Sequence, residues 1–402
     1  MTSIASIIEK HLPRIRALRR DLHAHPELGF EEFETSEKVA AILAELPGFS
    51  VRRNVAVTGI VATLDAAKTG PCVALRADMD CLPIAEETGL PSASTKPGLM
   101  HACGHDGHTA ALVGAALALH EIRDELKGPV KLIFQPAEEG RFGARHMVDE
   151  GALDDPAVAA IFGMHNEPQP ELEFGQVALR SGPFYGGGAT FEIMVTGAGG
   201  HAAMPQQVID TILIASHIVT ALQSIVSRNA DPFEALVVSV TRFHGGTTHN
   251  VIPETVELGG TIRSLSPALL ERAQERMRAI AESSAAAFGG SAVVKFRPGY
   301  PVVENDSRAA AYCATVARDV AGADSVYDSF SPTLVSEDFA FYLHQRPGSF
   351  FKIGTRPPAI PVLPGLHHPR FNFNEDILPL AIAMHVELAR RFADDWSKFS
   401  KS

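Results

Sequence analysis

Apolar residues recur at helical spacing through the first fifty positions, at Ile4, Ile7, Ile8, Leu12, Ile15, Leu18 and Leu22, then at Val39, Ile42, Leu43 and Leu46. Two amphipathic helices are predicted. The pattern then turns to continuous apolar runs of strand length at 59–64, 72–75, 130–134 and 158–162. Helical stretches separate the later runs, from about 108 to 126 and around 143 to 149. Strands alternating with helices predict βαβ units, and hence a mostly parallel sheet covered by helices on both faces.

After Gly186-Gly187-Gly188 the period changes. Residues 189–195 alternate as a strand, followed by a helix (205–228), two strands (235–243 and 255–263), a helix (267–288) and a strand (292–296). That β-α-β-β-α-β order is the split βαβ arrangement of ferredoxin-like domains. Beyond Pro298-Gly299-Tyr300-Pro301 the α/β style resumes, with helices near 306–320 and 338–345, a strand at 349–353 and a last helix from about 377 to 393. The expected organisation is a larger α/β domain in two parts, 1–186 and 299–402, interrupted by a smaller α+β domain at 187–298.

Composition narrows the class. The 402 residues are 46% hydrophobic and 20% charged, ordinary for a globular protein with a large core. A formal charge of −12 argues against nucleic acid or an anionic membrane as partner, since phosphate neutralisation needs clustered Lys and Arg. No run approaches the ~18 apolar residues of a membrane span, and the first residues lack a basic flank leading into an apolar core. A cytoplasmic enzyme acting on a small solute is expected. Four cysteines are too few for a disulfide framework. Cys72, Cys81 and Cys313 lie in apolar or helical stretches typical of buried thiols, whereas Cys103 is crowded by glycine and two histidines.

The chemistry concentrates between residues 100 and 168. His101, Cys103, His105, Asp106 and His108 fall within eight positions, and Gly104 lets the chain turn so that flanking side chains reach one metal or two adjacent ones. Glu138-Glu139 follows an apolar run and Pro136, so the pair emerges at a strand end. Adjacent carboxylates point in different directions, suiting one to a metal and the other to a water as general base. His165 repeats the placement after the run at 158–162. Far downstream, His367-His368 lies on a proline-bounded loop, and only one of the two need be a ligand. Each motif falls where open α/β sheets place ligands, at strand ends and helix starts. Gly197-Ala198-Gly199-Gly200-His201-Ala202 satisfies a dinucleotide fingerprint, but no second strand ends in an acidic residue about 20 positions later. A nicotinamide cofactor is not expected.

Further segments join these in order. They are Asp21-Leu22-His23-Ala24-His25-Pro26-Glu27-Leu28, Leu75-Arg76-Ala77-Asp78-Met79-Asp80 and Gln135-Pro136-Ala137-Glu138-Glu139-Gly140. Later come Gly200-His201-Ala202-Ala203-Met204-Pro205, His249-Asn250-Val251-Ile252-Pro253-Glu254, Gly260-Thr261-Ile262-Arg263 and Ser336-Glu337-Asp338-Phe339. With the cysteine–histidine cluster, they resemble the metallopeptidase family of aminoacylases and glutamate carboxypeptidases across nearly the whole chain. Within it the likeness is to the amidohydrolase branch of hippurate, N-acyl-amino-acid and auxin-conjugate hydrolases.

The resemblance implies a zinc-exopeptidase-like catalytic domain and two divalent metal ions, Zn, Mn, Co or Ni, held by Cys103, His105, Glu139, His165 and His367. It makes Glu138 the general base and acid, and Asp80 the residue that orients a ligand histidine, with Asp78 standing where many relatives have a histidine ligand. It also implies that the inserted domain mediates a homodimer or dimer-based tetramer and lends His201 to the partner's site, to stabilise the oxyanion. Asn250 and Arg263 would hold the substrate carboxylate, for which a guanidinium fork is suited. The implied reaction cleaves the amide bond of an N-acyl or N-aroyl amino acid; a dipeptidase or carboxypeptidase using the same site is the alternative, and a non-catalytic binding protein a more distant one. Arg141-Phe142 and Gln206-Gln207 depart from the family's usual residues and bear on the substrate pocket.

Overall fold

The computed structural model describes residues 3–357, 359–360 and 363–399. Its chain forms two compact units, Met1–Gly182 with Glu304–Ser331 and Asp338–Ser402, and Pro183–Val303 with Pro332–Glu337. The short return of Pro332–Glu337 to the second unit has no counterpart in the expected joints at 186/187 and 298/299, because hydropathy carries no record of a loop's partner.

The first unit is built on a twisted eight-stranded sheet. In spatial order its strands are Phe49–Val55, Gly59–Leu64, Val130–Gln135, Cys72–Asp78, Val158–Glu167, Gly348–Gly354, Val177–Ala178 and Val326–Tyr327. The four central strands from Val130–Gln135 to Gly348–Gly354 run parallel. In three of them every residue is buried, as expected of a sheet covered on both faces. Gly59–Leu64 departs from the expected βαβ scheme, pairing antiparallel with both Phe49–Val55 and Val130–Gln135. Phe49–Val55 itself was not expected, since Arg52, Arg53 and Asn54 are exposed and break its apolar run.

Helices Ile4–Ala24, His105–Glu121 and Leu378–Phe399 pack against one another over the sheet. His105–Glu121 starts three residues earlier than expected and ends five earlier, because all but two of its residues are buried and no polar stripe marks its limits. Leu378–Phe399 runs beyond 393, as Trp396 and Phe399 pack on Tyr312 at 6.3 and 5.6 Å between ring centroids. Only Ala340–Leu343 of the expected helix at 338–345 forms.

The second unit is a four-stranded antiparallel sheet, ordered Leu236–His244, Thr255–Ser264, Gly187–Thr196, Ser291–Pro298. With helices Thr211–Ser224 and Pro267–Ala287 it has the expected element order, and the two chain-terminal strands of the motif lie side by side. The first helix begins six residues later than expected, where the Asp210 carboxylate accepts the Ile212 and Leu213 N–H groups. The stretch Thr211–Asn229 is long and apolar enough to cross a membrane, with mean hydropathy 1.3. Here it buries a stripe of Thr211, Ile214, Ala215, Ile218, Leu222 and Ile225 within the unit's own core.

His385 makes a measurable demand on the first unit. Its ring is buried, its Nδ1 lacks a hydrogen-bond partner, and burial, then His108, push its pKa down to about 3. A depressed histidine contributes stability that is present above the unfolded pKa near 6.5 and is lost as pH falls, because only the unfolded chain takes up the proton. Between pH 7 and 5 this residue is expected to cost about 2 kcal/mol. Thermal melts across that range should show a flatter decline in Tm for His385→Leu than for the parent chain.

Candidate metal and catalytic centre

Two backbone turns of the first unit carry the candidate chemistry. At one, the chain enters helix His105–Glu121 through Gly104 at φ +92°, in the left-handed region that favours glycine. A Cβ there would also lie 2.4 Å from Asn166 Oδ1. The tight start brings Cys103 Sγ and donor atoms of His105 and His165 within 4.8 Å of one another. His165 lies inside strand Val158–Glu167 rather than just beyond it. Parallel pairing with Gly348–Gly354 carries that strand past its apolar run.

The other turn follows strand Val130–Gln135. Ala137 is left-handed at φ +57°, Glu138 and Glu139 come next, and Gly140 and Phe142 also have positive φ. Left-handed geometry costs a non-glycine residue roughly 1–2 kcal/mol. Hydrogen bonds to buried carboxylates offset that cost: Ala137 N–H donates to Glu32 Oε1 and Glu139 N–H to Asp80 Oδ2, both at 2.8 Å. Glu139, His367 and Cys103 form a second donor group within 4.8 Å, so the two groups meet at the cysteine sulfur. His105, Glu138 and Glu139 form a third.

His367 reaches this place from a loop whose N–H donates to Ala102 O at 2.8 Å, and it is itself left-handed at φ +64°. His368 lies outside these groups, and its Nδ1 accepts the Arg370 N–H.

The nitrogens are set for a cation. His105 Nδ1 faces the Asp80 carbonyl at 2.9 Å and its Oδ1 at 3.1 Å, leaving Nε2 without a hydrogen bond. His165 Nδ1 donates to Asn166 O at 2.7 Å, leaving Nε2 3.5 Å from Cys103 Sγ. Holding one ring nitrogen so that the other presents its lone pair is the usual arrangement of a ligand histidine. Hydrogen bonds to Cys103 and Glu139 raise His367 to about 10, so the surrounding groups already favour positive charge. Thiolate, imidazole and carboxylate donors together fit a divalent transition metal.

Around the donors lies a buried polar frame that residue types alone did not reveal. Arg76 donates to Gln135 Oε1 and Asp78 Oδ2 at 2.7 Å and to Asp338 Oδ1 at 3.2 Å. Asp78 also holds His108 Nδ1 at 2.7 Å. Burial opposes its charge, but His105, Arg76 and His108 outweigh that and hold its pKa well below the usual range. Asp338 accepts from Gln135 Nε2 and Ala144 N–H at 2.8 Å, while its own N–H donates to Glu138 Oε1 at 3.3 Å. Burial, then the Asp80 charge, pushes Glu32 up to about 8. The motifs 75–80 and 336–339 were the available signals.

His201, Asn250 and Arg263 belong to the second unit. His201 and Asn250 are exposed neighbours, since Gly200–His201 pairs with Val251–Ile252 and Ala202 N–H donates to Asn250 O at 3.1 Å. Arg263, half-buried in Thr255–Ser264, donates to Ser336 Oγ. Arg141 Nη1 donates to Gly29 O at 2.8 Å, and the Phe142 ring lies 6.1 Å from that of Phe341.

A family model for peptidase family M20/M25/M40 matches residues 74–391. The chain belongs to this family. It is 42% identical to IAA-amino acid hydrolase ILR1-like 4 of Arabidopsis thaliana, over 93% of this chain and 84% of that one. It is also 42% identical to N-acetylcysteine deacetylase of Bacillus subtilis (strain 168), over 94% and 96%. A solved structure of the Bacillus subtilis YXEP protein, a dinuclear metal binding peptidase from the M20 family, superposes with a TM-score of 0.84 at 37% identity, covering 96% of this chain and 99% of that one. The expected fold class and the class of chemistry, a hydrolase, agree with these relatives.

The position of Asp80 between His105 and Glu139 sets an expectation for metal affinity. Asp80→Ala should weaken divalent-metal binding by roughly 10- to 100-fold, as read by competition with a chromogenic chelator.

Proposed function

We propose that this chain is a metal-dependent amidohydrolase that cleaves N-acyl or N-aroyl amino acids to a carboxylic acid and a free amino acid. The observation that carries the reading is a buried glutamate, Glu138, beside two donor groups that share Cys103. Cys103, His105, Glu139, His165 and His367 would hold two divalent ions, which supply Lewis acidity and lower the pKa of a water. The relatives' names, an amino acid conjugate hydrolase and a deacetylase, support this substrate class.

In the proposed reaction Glu138 removes a proton from the attacking water, whose oxygen bonds to the amide carbon. Glu138 then delivers that proton to the leaving nitrogen as the C–N bond breaks. Its Oε1 accepts the Asp338 N–H at 3.3 Å, which orients the carboxyl group at the turn. Asp80 orients His105 and fixes the Glu139 backbone. His201, supplied by a second copy of the chain in a homodimer, would donate to the carbonyl oxygen as negative charge develops there. Asn250 and Arg263 would hold the amino acid's carboxylate through charge-assisted hydrogen bonds. Four free cysteines and no disulfide among the described residues fit a cytoplasmic setting.

A panel of N-acetyl, N-benzoyl and N-indoleacetyl amino acids beside free dipeptides tests the substrate class. Hydrolysis of the acyl conjugates with higher kcat/KM is expected; preference for dipeptides would assign a peptidase instead. Glu138→Gln should keep the parent metal content and lose roughly 10²- to 10⁴-fold in kcat. Near-parent turnover in that variant would remove Glu138 from the role.

A further inference from the structure

The segment 21–32 contains an ordered run of charged and aromatic residues that the reaction above does not use. In the fold it lies against the turn that presents Glu138. A Cβ on Gly29 would sit 2.8 Å from Ala137 Cα and 2.9 Å from Ala137 Cβ, so the two backbones touch with no room for a side chain. Arg141, just past the turn, ties itself to Gly29 O. Three residues along, the fully buried Glu32 carboxyl group accepts the Ala137 N–H at 2.8 Å through Oε1 and bonds the Thr58 hydroxyl at 2.6 Å through Oε2.

Glu138 is therefore bracketed. The N–H before it ends on Glu32 and the N–H after it ends on Asp80, two buried carboxylates from separate stretches of chain. Ala137 is left-handed, a conformation that an L-residue keeps only where its surroundings enforce it. With both of its oxygens engaged and no water competing, the buried Glu32 carboxyl group is a stiffer anchor than a mobile water. Small displacements at such a position are costly, because a proton acceptor about 1 Å out of line can lose about 10²-fold in rate.

We propose that Glu32 is a positioning residue for Glu138, locking the left-handed Ala137 and so the direction in which the general base leaves the turn. This rests on the assignment of Glu138 as the base. Glu32 lies outside the donor groups, so its effect falls on kcat rather than on metal content.

Glu27 of the same segment provides the comparison. Its carboxylate accepts the Glu34 and Thr35 N–H groups at 3.2 and 2.9 Å at the start of helix Phe33–Ala44, a purely structural cap. Glu32→Ala is expected to lower kcat about 100-fold on an N-acyl amino acid, with KM within about threefold and metal content at the parent value. Glu32→Gln, which keeps an acceptor for Ala137, should recover most of that loss. Glu27→Ala should lower Tm and leave kcat within about twofold. Amide hydrogen–deuterium exchange of peptide 136–143 should quicken in Glu32→Ala and not in Glu27→Ala.

Unchanged exchange in Glu32→Ala would overturn the proposal. So would a kcat loss accompanied by matching losses of metal or Tm, or no rescue by Glu32→Gln. Thr58→Val, which removes the other donor to Glu32, serves if Glu32→Ala does not fold; it should lower kcat in the same direction, and parent kcat would overturn the proposal. If exchange quickens as expected while the parent chain hydrolyses no acyl amino acid, the hold on the turn stands and the substrate assignment falls.

Discussion

One carboxylate, Asp80, joins the two turns on which the centre is built. One of its oxygens faces His105 Nδ1 and the other takes the Glu139 N–H. Because the two oxygens belong to one rigid planar group, the position of the imidazole and that of the glutamate pair are set together. The same contact selects the tautomer of His105, leaving Nε2 free toward the cluster. Asp80 is buried, so neither bond competes with bulk water. The remaining donors are held by backbone: His165 through Asn166 O and His367 through its own N–H to Ala102 O.

Around that link the first unit buries an unusual amount of charge. Arg76 lies between Asp78 and Asp338, and Arg19 reaches Asp106 at 2.9 Å while Asp106 holds His23 at 2.8 Å. Desolvating such groups is expensive, and replacing a buried pair by apolar residues of like volume is often neutral or stabilising. These networks therefore make sense as positioning devices. The Arg76 network joins two strand ends to Asp338, whose N–H reaches Glu138, while the Arg19–Asp106–His23 group ties helix Ile4–Ala24 to the start of helix His105–Glu121.

Much of the architecture was legible in the chain. The helices of the second unit and its β-α-β-β-α-β order follow from clean periodicity, because each element there has one buried and one exposed face. The buried helix His105–Glu121 was located but poorly bounded, and Phe49–Val55 was missed, because burial on all sides and exposure at an edge both erase the alternation that marks an element. At the centre, Cys103, His105, Glu138, Glu139, His165 and His367 were legible from residue type, spacing and resemblance. Glu32, Arg76 and Asp338 were not, since a charged side chain gives no sign of whether its partner is water or a backbone N–H distant in sequence.

The sequence by itself determined most of the elements and where the donor-bearing turns fall, with Gly104 as the residue on which one of those turns bends. It also supplied both candidates at 367 and 368. Spacing left the two open and the resemblance favoured His367; in the folded chain His367 stands beside Cys103 and Glu139, while His368 is turned to its own loop. Only the tertiary structure assigned Glu32 to Ala137 and Asp80 to Glu139. The physical reason is that periodicity records which face of an element is apolar, whereas a buried hydrogen bond depends on two segments arriving within about 3 Å at the right angle. That is a property of the folded chain.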